Sequence, residues 1–553
     1  MKKTIRQKVE AAVLALAVEN GLKPGQLNLG QIVVEEPKDP THGHLATNAA
    51  LALSKALGQK PRPLADRILA ALADPEGFIE KAEAAGPGFI NFRLSNKFWA
   101  KALAEAIEAG ESFGRRPPTG RKVLVEYVSA NPTGPLHVGH GRGAALGDAL
   151  ARILAFAGEA VSREYYVNDA GRQMRVLGAS VRARLLELKG AGGDFPQDHY
   201  RGQYVVDLAK ELLKEGSPLP FNFWELGEEG QTRWLSRWAG DRILSDIKKD
   251  LVDFKAVQET WFSETSLYED GAVDKALAFL KAGGHLFERD GALWFRSEPL
   301  GDDKDRVLVK SDGEKTYLAA DVAYHWNKFE RGFDLAVDVW GADHHGYIPR
   351  MKAAVAALGY PKDRLAVVLA QLVNLLRGGA LASMSTRAGE FVTLREVMDE
   401  VGVDAARFIF LTRSHESPLD FDLEEAKAQN KDNPVYYVQY VCARIFSLVQ
   451  KSPFDSAKAD LTLLTEPEEV DLIRHLAGFP ETVETAARRL EPHLLTAWLT
   501  NAARLFHQYY ARHRLNDESQ PHLSKARIAL AGAVRQVTAI GLDLLGVSAP
   551  ERM

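Results

Sequence analysis

One cysteine, Cys442, stands in 553 residues. That excludes an internal disulfide framework and any zinc site built from several cysteines, and it fits a reducing compartment. No apolar run approaches the roughly 20 residues needed to cross a bilayer. The opening MKKTIRQKVEAAVLALAVENGLKPG has too short an apolar run for an export signal, and Glu10 and Glu19 flank it. Its Ile5, Val9, Val13, Leu14 and Leu16 mark a helix face of the folded protein instead. A basic excess is also missing: 69 Lys and Arg stand against 74 Asp and Glu, for a net charge of −5. That counts against a nonspecific nucleic-acid binder. It leaves room for a protein that reads one RNA through local patches and shape. Repeats and low-complexity tracts are absent. The remaining composition, 46% hydrophobic and 26% charged, is that of a globular protein,. The length suggests about three or four domains.

The most informative stretch is Val123 to Asp148, VLVEYVSANPTGPLHVGHGRGAALGD. Val123, Leu124, Val125, Tyr127 and Val128 read as a strand buried on both faces. Asn131, Pro132, Gly134 and Pro135 break it. Leu146, Leu150, Ile153 and Leu154 then recur at helical spacing. A strand entering a helix through a tight turn gathers unpaired N–H groups and the positive dipole end at one point, which suits a phosphate. Gly139, Gly141 and Gly143 would let a base or ribose approach the backbone. His137 and His140 can donate to phosphate oxygens. A metal pair or two surface histidines is the plainer reading of His-x-x-His.

Residues 1–110 read as an α/β unit, with a strand in LNLGQIVVEEP ending near Pro37, a loop and helix in PKDPTHGHLATNAALALSKALG, and a strand in GFINFRLS. GESFGRRPPTG (110–120) is a linker. Residues 111–430 alternate strands and helices, which argues a parallel sheet with helices on its faces. Strands are expected in DLAVDVWGA (334–342) and RLAVVLAQLVNL (364–375), and an insertion around 190–300. Residues 431–553 read as helical throughout. There, basic and aromatic side chains interleave from Arg504 to Arg514, as an RNA-stacking surface requires; a helix whose Phe506 and Tyr509 are core is the plainer reading.

HVGH resembles the HIGH signature of class I aminoacyl-tRNA synthetases. SANPTGPLHVGHGRG with YYVNDAGRQ (165–173) resembles the arginyl-tRNA synthetases in particular. LAADVAYH (318–325), VWGADHHGY (339–347), MSTRAGEFVTL (384–394), VGVDAARF (401–408), SPLDFDL (417–423), NPVYYVQY (433–440) and the ending GVSAPERM are similar to the same family in the same order.

The resemblance implies a Rossmann-type parallel-sheet catalytic core, an α/β N-terminal domain touching the outer corner of tRNA, and an all-α C-terminal anticodon-binding domain. It implies ATP, with Mg²⁺ carried on the ATP and no protein-held metal, and L-arginine and tRNA-Arg as partners. Arginine activation is expected to require bound tRNA. No membrane partner is expected, and a cytoplasmic monomer is. Because the attacking carboxylate is already a nucleophile, positioning and charge stabilisation carry the chemistry. His137 and His140 would serve as phosphate donors, and Gly139 and Gly141 as the surface under the adenosine.

A guanidinium needs carboxylates, and a bidentate one discriminates against lysine. Glu126, an acid inside an apolar strand, is a ligand or half of a buried ion pair. By resemblance Glu126, Tyr317 and Asp321 enclose the guanidinium, and Ser129, Asn131 and His344 surround the amino and carboxylate end. Among tRNA contacts, Asn48, Arg504, Tyr509, Tyr510 and Arg512 are the candidates.

The second class I signature, KMSKS, departs from its pattern: Ser383, Met384, Ser385, Thr386 and Arg387 stand in its place, without either lysine. Met384 and Ser385 are expected at the ATP. Arg387 is the first candidate for the missing cation, with Arg377, Arg142 and Lys310 behind it. The loss motivates a second class, a noncatalytic RNA-binding relative. A small-molecule adenylyltransferase using HxGH, and a metal-dependent hydrolase using Asp343-His344-His345, are further readings.

Overall fold

Five parallel strands run through the middle of the chain: β1 (Lys122–Glu126), β2 (Ala160–Val167), β3 (Thr260–Ser263), β4 (Leu335–Gly341) and β5 (Leu365–Ala370). Their spatial order is β5-β4-β1-β2-β3. The computed structural model describes residues 2–191, 195–381 and 392–553. Val123, Leu124 and Val125 in the central strand are at most 1% exposed, as their unbroken apolar run requires,. The chain steps from β1 outward to β2 and β3, then returns past β1 to lay down β4 and β5. Connections therefore diverge at the carboxyl ends of β1 and β4, the switch point where open α/β sheets hold ligands.

Helix α1 (Val138–Phe156) crosses from β1 to β2. Between β2 and β3 lie α2 (Arg172–Leu188) and α3 (Glu228–Asp253), so closely apposed that a Cβ on Gly178 would come within 2.2 Å of Ser236 Oγ. The stretch 190–300 is thus not one insertion. Its Thr260–Ser263 is the edge strand of the core sheet, and short helix α4 (Glu264–Glu269) follows directly. Only Leu286–Arg289, Ala292–Phe295 and Arg306–Val309 form a separate small antiparallel sheet. Helix α5 (Tyr317–Glu330) then leads into β4. The run 364–375 divides at Gln371: β5 stays in the core, whereas Val373–Arg377 pairs with Leu419–Asp422 in another sheet.

At the amino end a helix, Lys2–Glu19, buries Ile5, Val9, Val13 and Leu16. It accompanies an antiparallel sheet in the order Val34–Glu35, Leu45–Thr47, Phe89–Leu94, Ile79–Ala85. The expected helix after the loop is only Ala49–Leu53, and a strand precedes it. Ile79–Ala85 carries no apolar pattern that predicts a strand, because Glu80, Lys81 and Glu83 interrupt it.

Helix α6 (Val403–Phe410) leads into the carboxyl-terminal region. That region includes α7 (Pro434–Gln450), α8 (His493–Arg512) and α9 (Pro521–Leu544). Among the described residues from 434 onward no strand occurs. The linker after residue 109 is clamped: Phe113 stacks on Phe479, and Gln536 Nε2 donates to the carbonyls of Ala106 and Gly110.

Arg407 on α6 joins α1 to the segment after α9. It is fully buried. Nη2 meets Asp148 of α1 at 2.5 Å, Nη1 the Phe254 carbonyl at 2.9 Å, and Nε the Leu545 carbonyl at 3.0 Å. Arg407→Met strands both carbonyls and leaves the buried Asp148 with Arg152 and the more distant Arg163 only. The expected loss is about 3–5 kcal/mol, read as a lower urea midpoint of the transition that includes the core; an unchanged midpoint contradicts it.

Candidate active site

The HVGH segment caps its own helix. His137 is the N-cap of α1, its Nδ1 accepting the Gly139 N–H at 3.1 Å. His140 Nδ1 accepts the His137 N–H at 3.2 Å, closing a capping box made of two imidazoles,. The rings stack with centroids 3.7 Å apart. An acceptor Nδ1 requires the proton of the neutral ring on Nε2, so both histidines carry an Nε2–H donor. Burial lowers the pKa of His137 and takes His140 down to about 3, with His137 adding to the latter. Both are therefore neutral donors at physiological pH. Stability contributed by the neutral rings is complete above the ordinary histidine value and is lost as pH falls toward the lowered ones.

The glycines divide. Gly139 is half-buried beside His137, whereas Gly141 and Gly143 are buried. A Cβ on Gly141 would strike Leu394 at 2.7 Å. Gly141 therefore serves packing and not a nucleotide, a correction to the sequence expectation. The same neighbourhood ties HVGH to the far side of the second signature: Val138 N–H donates to the Val392 carbonyl and Leu394 N–H to the Leu136 carbonyl. Met384, Ser385 and Arg387 lie outside the described residues.

Of the other cations proposed for the phosphates, Arg142 is 1% exposed, with its guanidinium on the carbonyls of Gln371 (2.8 Å) and Ser414 (3.0 Å). These bonds tie α1 to the Gln371 and Ser414 segments. Arg377 is paired with Glu400 and Glu424, and Lys310 with Glu314, all at the surface.

Beyond β1 the backbone turns sharply. Val128 and Ser129 have φ of 71° and 42°, the left-handed region that a β-branched residue rarely enters,. The turn brings Ser129 Oγ back to donate to Glu126 Oε1 at 2.8 Å and to accept the Tyr166 N–H at 3.1 Å. The NDAGRQ segment braces the same turn. Asn168 Nδ2 donates to the Ser129 carbonyl, and Asn131 Nδ2 to Gln173. Asp169 accepts from Ser263 Oγ, the Thr265 N–H and Thr265 Oγ1, tying β2 to the start of α4.

Two carboxylates lie around Tyr166, whose N–H binds Ser129: Asp321 and Glu264. Asp321 on α5 is half-buried and accepts the Tyr347 hydroxyl. Burial raises its pKa, against the pull of the Tyr347 hydrogen bond. Glu264, the first residue of α4, is 3% exposed. Burial, then the charges of Asp321 and Asp169, push its pKa up to about 7. Tyr317 begins α5 and is 64% exposed. A Cβ on Gly171 would lie 3.4 Å from its hydroxyl, so the ring reaches toward the NDAGRQ turn. Glu264 was missed in the sequence. Its signal, an acid heading SETSLYE after a strand-like TWFS, is meaningful only once that strand is known to be the core edge.

Glu126 is not a free carboxylate. It is 6% exposed and bonded to Lys328 Nζ at 2.5 Å as well as to Ser129. Of the two readings left open for it, the structure contains the ion pair. His344 is exposed beside Asp343 and next to the Trp340 ring. Among the described residues, the group whose potential metal ligands converge is Glu466, Glu468 and His513. It lies far along the chain from Asp343-His344-His345, and Arg512 sits on Glu468.

In the helical region Tyr509 is fully buried with its hydroxyl toward Glu469, so it cannot stack a base, and the core reading holds for it and Phe506. Tyr510 is half-buried, with the Arg444 guanidinium 4.3 Å from its ring centre. Arg444 also lies 5.2 Å from Tyr440, whose ring parallels Tyr436. Arg504 is exposed and bonded to Asn501 and Gln508, and Arg512 to Glu468. Asn48 closes the Gln31–Val33 loop through its side chain.

Three family descriptions match in succession: "Arginyl tRNA synthetase N terminal domain" over 1–94, "tRNA synthetases class I (R), catalytic domain" over 102–416, and "DALR anticodon binding domain" over 438–553. The chain is 50% identical to an arginine–tRNA ligase of Desulfosudis oleivorans, covering 100% of both chains. It is 53% identical to one of Nitratidesulfovibrio vulgaris, over 94% of this chain and 95% of the relative. The arginyl-tRNA synthetase structure of Thermus thermophilus superposes with a TM-score of 0.76 at 26% identity, covering 100% of each chain.

Proposed function

The chain belongs to the class I arginyl-tRNA synthetases and charges tRNA-Arg with arginine, and we propose that it does so in the cleft at the carboxyl ends of β1 and β4. ATP is the other substrate, as the class implies; Mg²⁺ travels with its triphosphate. The observation that carries the placement is the conjunction of two acids, half-buried Asp321 and buried Glu264, with the HVGH helix start at the switch point of the sheet. A guanidinium cannot lose its charge and presents a planar fork of donors. Two carboxylates at the floor satisfy that fork, with Tyr317 over the mouth. Ser129, Asn131 and His344 would take the amino and carboxylate end.

The arginine carboxylate then attacks the α-phosphorus of ATP. A carboxylate O–P bond forms, the bond to the β-phosphate oxygen breaks, and pyrophosphate leaves with the electron pair. Charge builds on phosphate oxygens, to which the neutral Nε2–H groups of His137 and His140 would donate hydrogen bonds. A ribose hydroxyl of the terminal adenosine next attacks the carbonyl carbon of the adenylate and expels AMP.

The tRNA would lie along the helical region, where Tyr436, Tyr440, Arg444 and Tyr510 alternate ring and guanidinium and where Arg504 and Arg512 add charge. Asn48 belongs to the N-terminal unit that would meet the outer corner. The enzyme acts as a cytoplasmic monomer in this reading. Activation is proposed to await tRNA, in keeping with the exposure of Tyr317, which leaves the arginine pocket open on one side.

ATP–pyrophosphate exchange with arginine or lysine, with and without total tRNA, tests this. Exchange is expected only with arginine and tRNA together. Equal exchange without tRNA overturns the tRNA requirement, and equal exchange with lysine overturns the carboxylate pocket.

A further inference from the structure

The turn Ala342–Tyr347 that leaves β4 carries the segment DHHGY, of which the site described so far uses His344. Tyr347, half-buried at the end of the turn, donates its hydroxyl proton across to Asp321 Oδ2 on α5. Among the described residues no other side chain donates a hydrogen bond to that carboxylate. The ring that carries the hydroxyl is fixed from two sides. Trp340, near the end of β4, meets it edge-on with centroids 6.0 Å apart, and the Arg350 guanidinium lies 4.7 Å from its centre,. Arg350 Nε in turn sits 3.9 Å from Asp302, a buried acid already held by Arg306 and Ser297.

A carboxylate that grips a guanidinium must be ionised and must turn its acceptor edge to the fork of donors. Burial works against the first need, since it raises the Asp321 pKa, and the charge of Glu264 on α4 is of like sign. The Tyr347 hydrogen bond works for it, followed by the charges of His325, Lys328 and His344,. The hydroxyl keeps its own proton, because burial and then the charge of Asp321 raise its pKa well above the ordinary tyrosine value. It is therefore a permanent donor. One such bond occupies one of the roughly four acceptor positions of a carboxylate, so both oxygens can still receive N–H groups. We propose that Tyr347 is a positioning residue for arginine: its hydroxyl turns the Asp321 carboxylate toward the guanidinium and holds it there. The inference rests on the reading that Asp321 binds the guanidinium.

The test is steady-state aminoacylation by the full chain with Tyr347→Phe, Asp321→Asn and the two combined. Tyr347→Phe removes one oxygen; the ring keeps Trp340 and Arg350, and Arg350 keeps Asp302. The kcat/KM for arginine is expected to fall roughly ten- to hundredfold, the scale of a lost hydrogen bond to a charged group. The fall should lie in KM for arginine, with kcat and KM for ATP within about twofold, a split that general loss of folded protein would not produce. In the Asp321→Asn background the charge to be positioned is gone, so Tyr347→Phe should cost no more than about threefold further. Losses that multiply overturn the proposal, because Tyr347 would then act by a route other than Asp321. A Tyr347→Phe variant within about threefold of the parent in kcat/KM for arginine overturns it while sparing the site, provided Asp321→Asn shows its loss. KM values for arginine and ATP that rise together overturn it as well. If Asp321→Asn is itself silent, the reading that Asp321 binds arginine fails, and the proposal fails with it.

Discussion

Asp321→Asn is expected to cut kcat/KM for arginine by roughly 30- to 4,000-fold, the equivalent of about 2–5 kcal/mol for truncating one partner of a desolvated charge pair. The residue sits where α5 meets the cleft, fixed by the Tyr347 hydroxyl and the helix below it. Glu264→Gln should lose less, because Glu264 begins partly protonated near neutrality. Its raised pKa, about 7, gives a directional test. The free protein holds that proton until pH passes about 7, and arginine binds the ionised form. Therefore kcat/KM for arginine should rise with pH and level off above about 7, and Glu264→Gln should remove that rise. The sign for stability is opposite: a raised carboxyl contributes stability that is complete below its ordinary value and lost as pH rises through 7. Arginine should accordingly protect the protein more at pH 8 than at pH 6. A flat kcat/KM profile from pH 6 to 8 in the parent would remove Glu264 from the pocket.

His140→Ala should lower kcat by about 10²–10³, the usual effect of removing one preorganised donor to a developing oxyanion. Arginine KM should change little, since the imidazoles lie at the helix start and not at the acidic floor. The variant also opens the capping box, at a cost of about 1 kcal/mol, so circular dichroism must show the fold intact at the assay temperature. A drop confined to arginine KM would place His140 in the amino-acid site. Retention of full kcat would remove it from the chemistry.

Much of the site was legible because its signals are local. A strand, a Pro/Gly turn and HVGH together specify the strand, turn and helix start, and the structure adds that the two imidazoles cap the helix they open. DLAVDVWGA and the run beginning at Arg364 announced their strands by apolar composition. What was not legible depends on pairing between distant segments. Glu264 matters because Thr260–Ser263 adds to the sheet edge beside β2, which no local pattern states. The Glu126 ion pair waits on Lys328, 202 residues away. Gly141 and Arg142 look like ligand-facing residues by motif, yet the face of α1 they occupy is packed against Leu394 and tied to the Gln371 and Ser414 carbonyls. Tyr509 was readable in principle: Ala502, Phe506 and Tyr509 share the buried face of α8, at spacings of four and three,.

The most direct test of the site is a crystal structure of the protein soaked with L-arginine. The guanidinium should lie within hydrogen-bond distance of Asp321 and Glu264, with the amino and carboxylate end at Ser129 and Asn131. Arginine bound away from the ends of β1 and β4 would contradict the assignment.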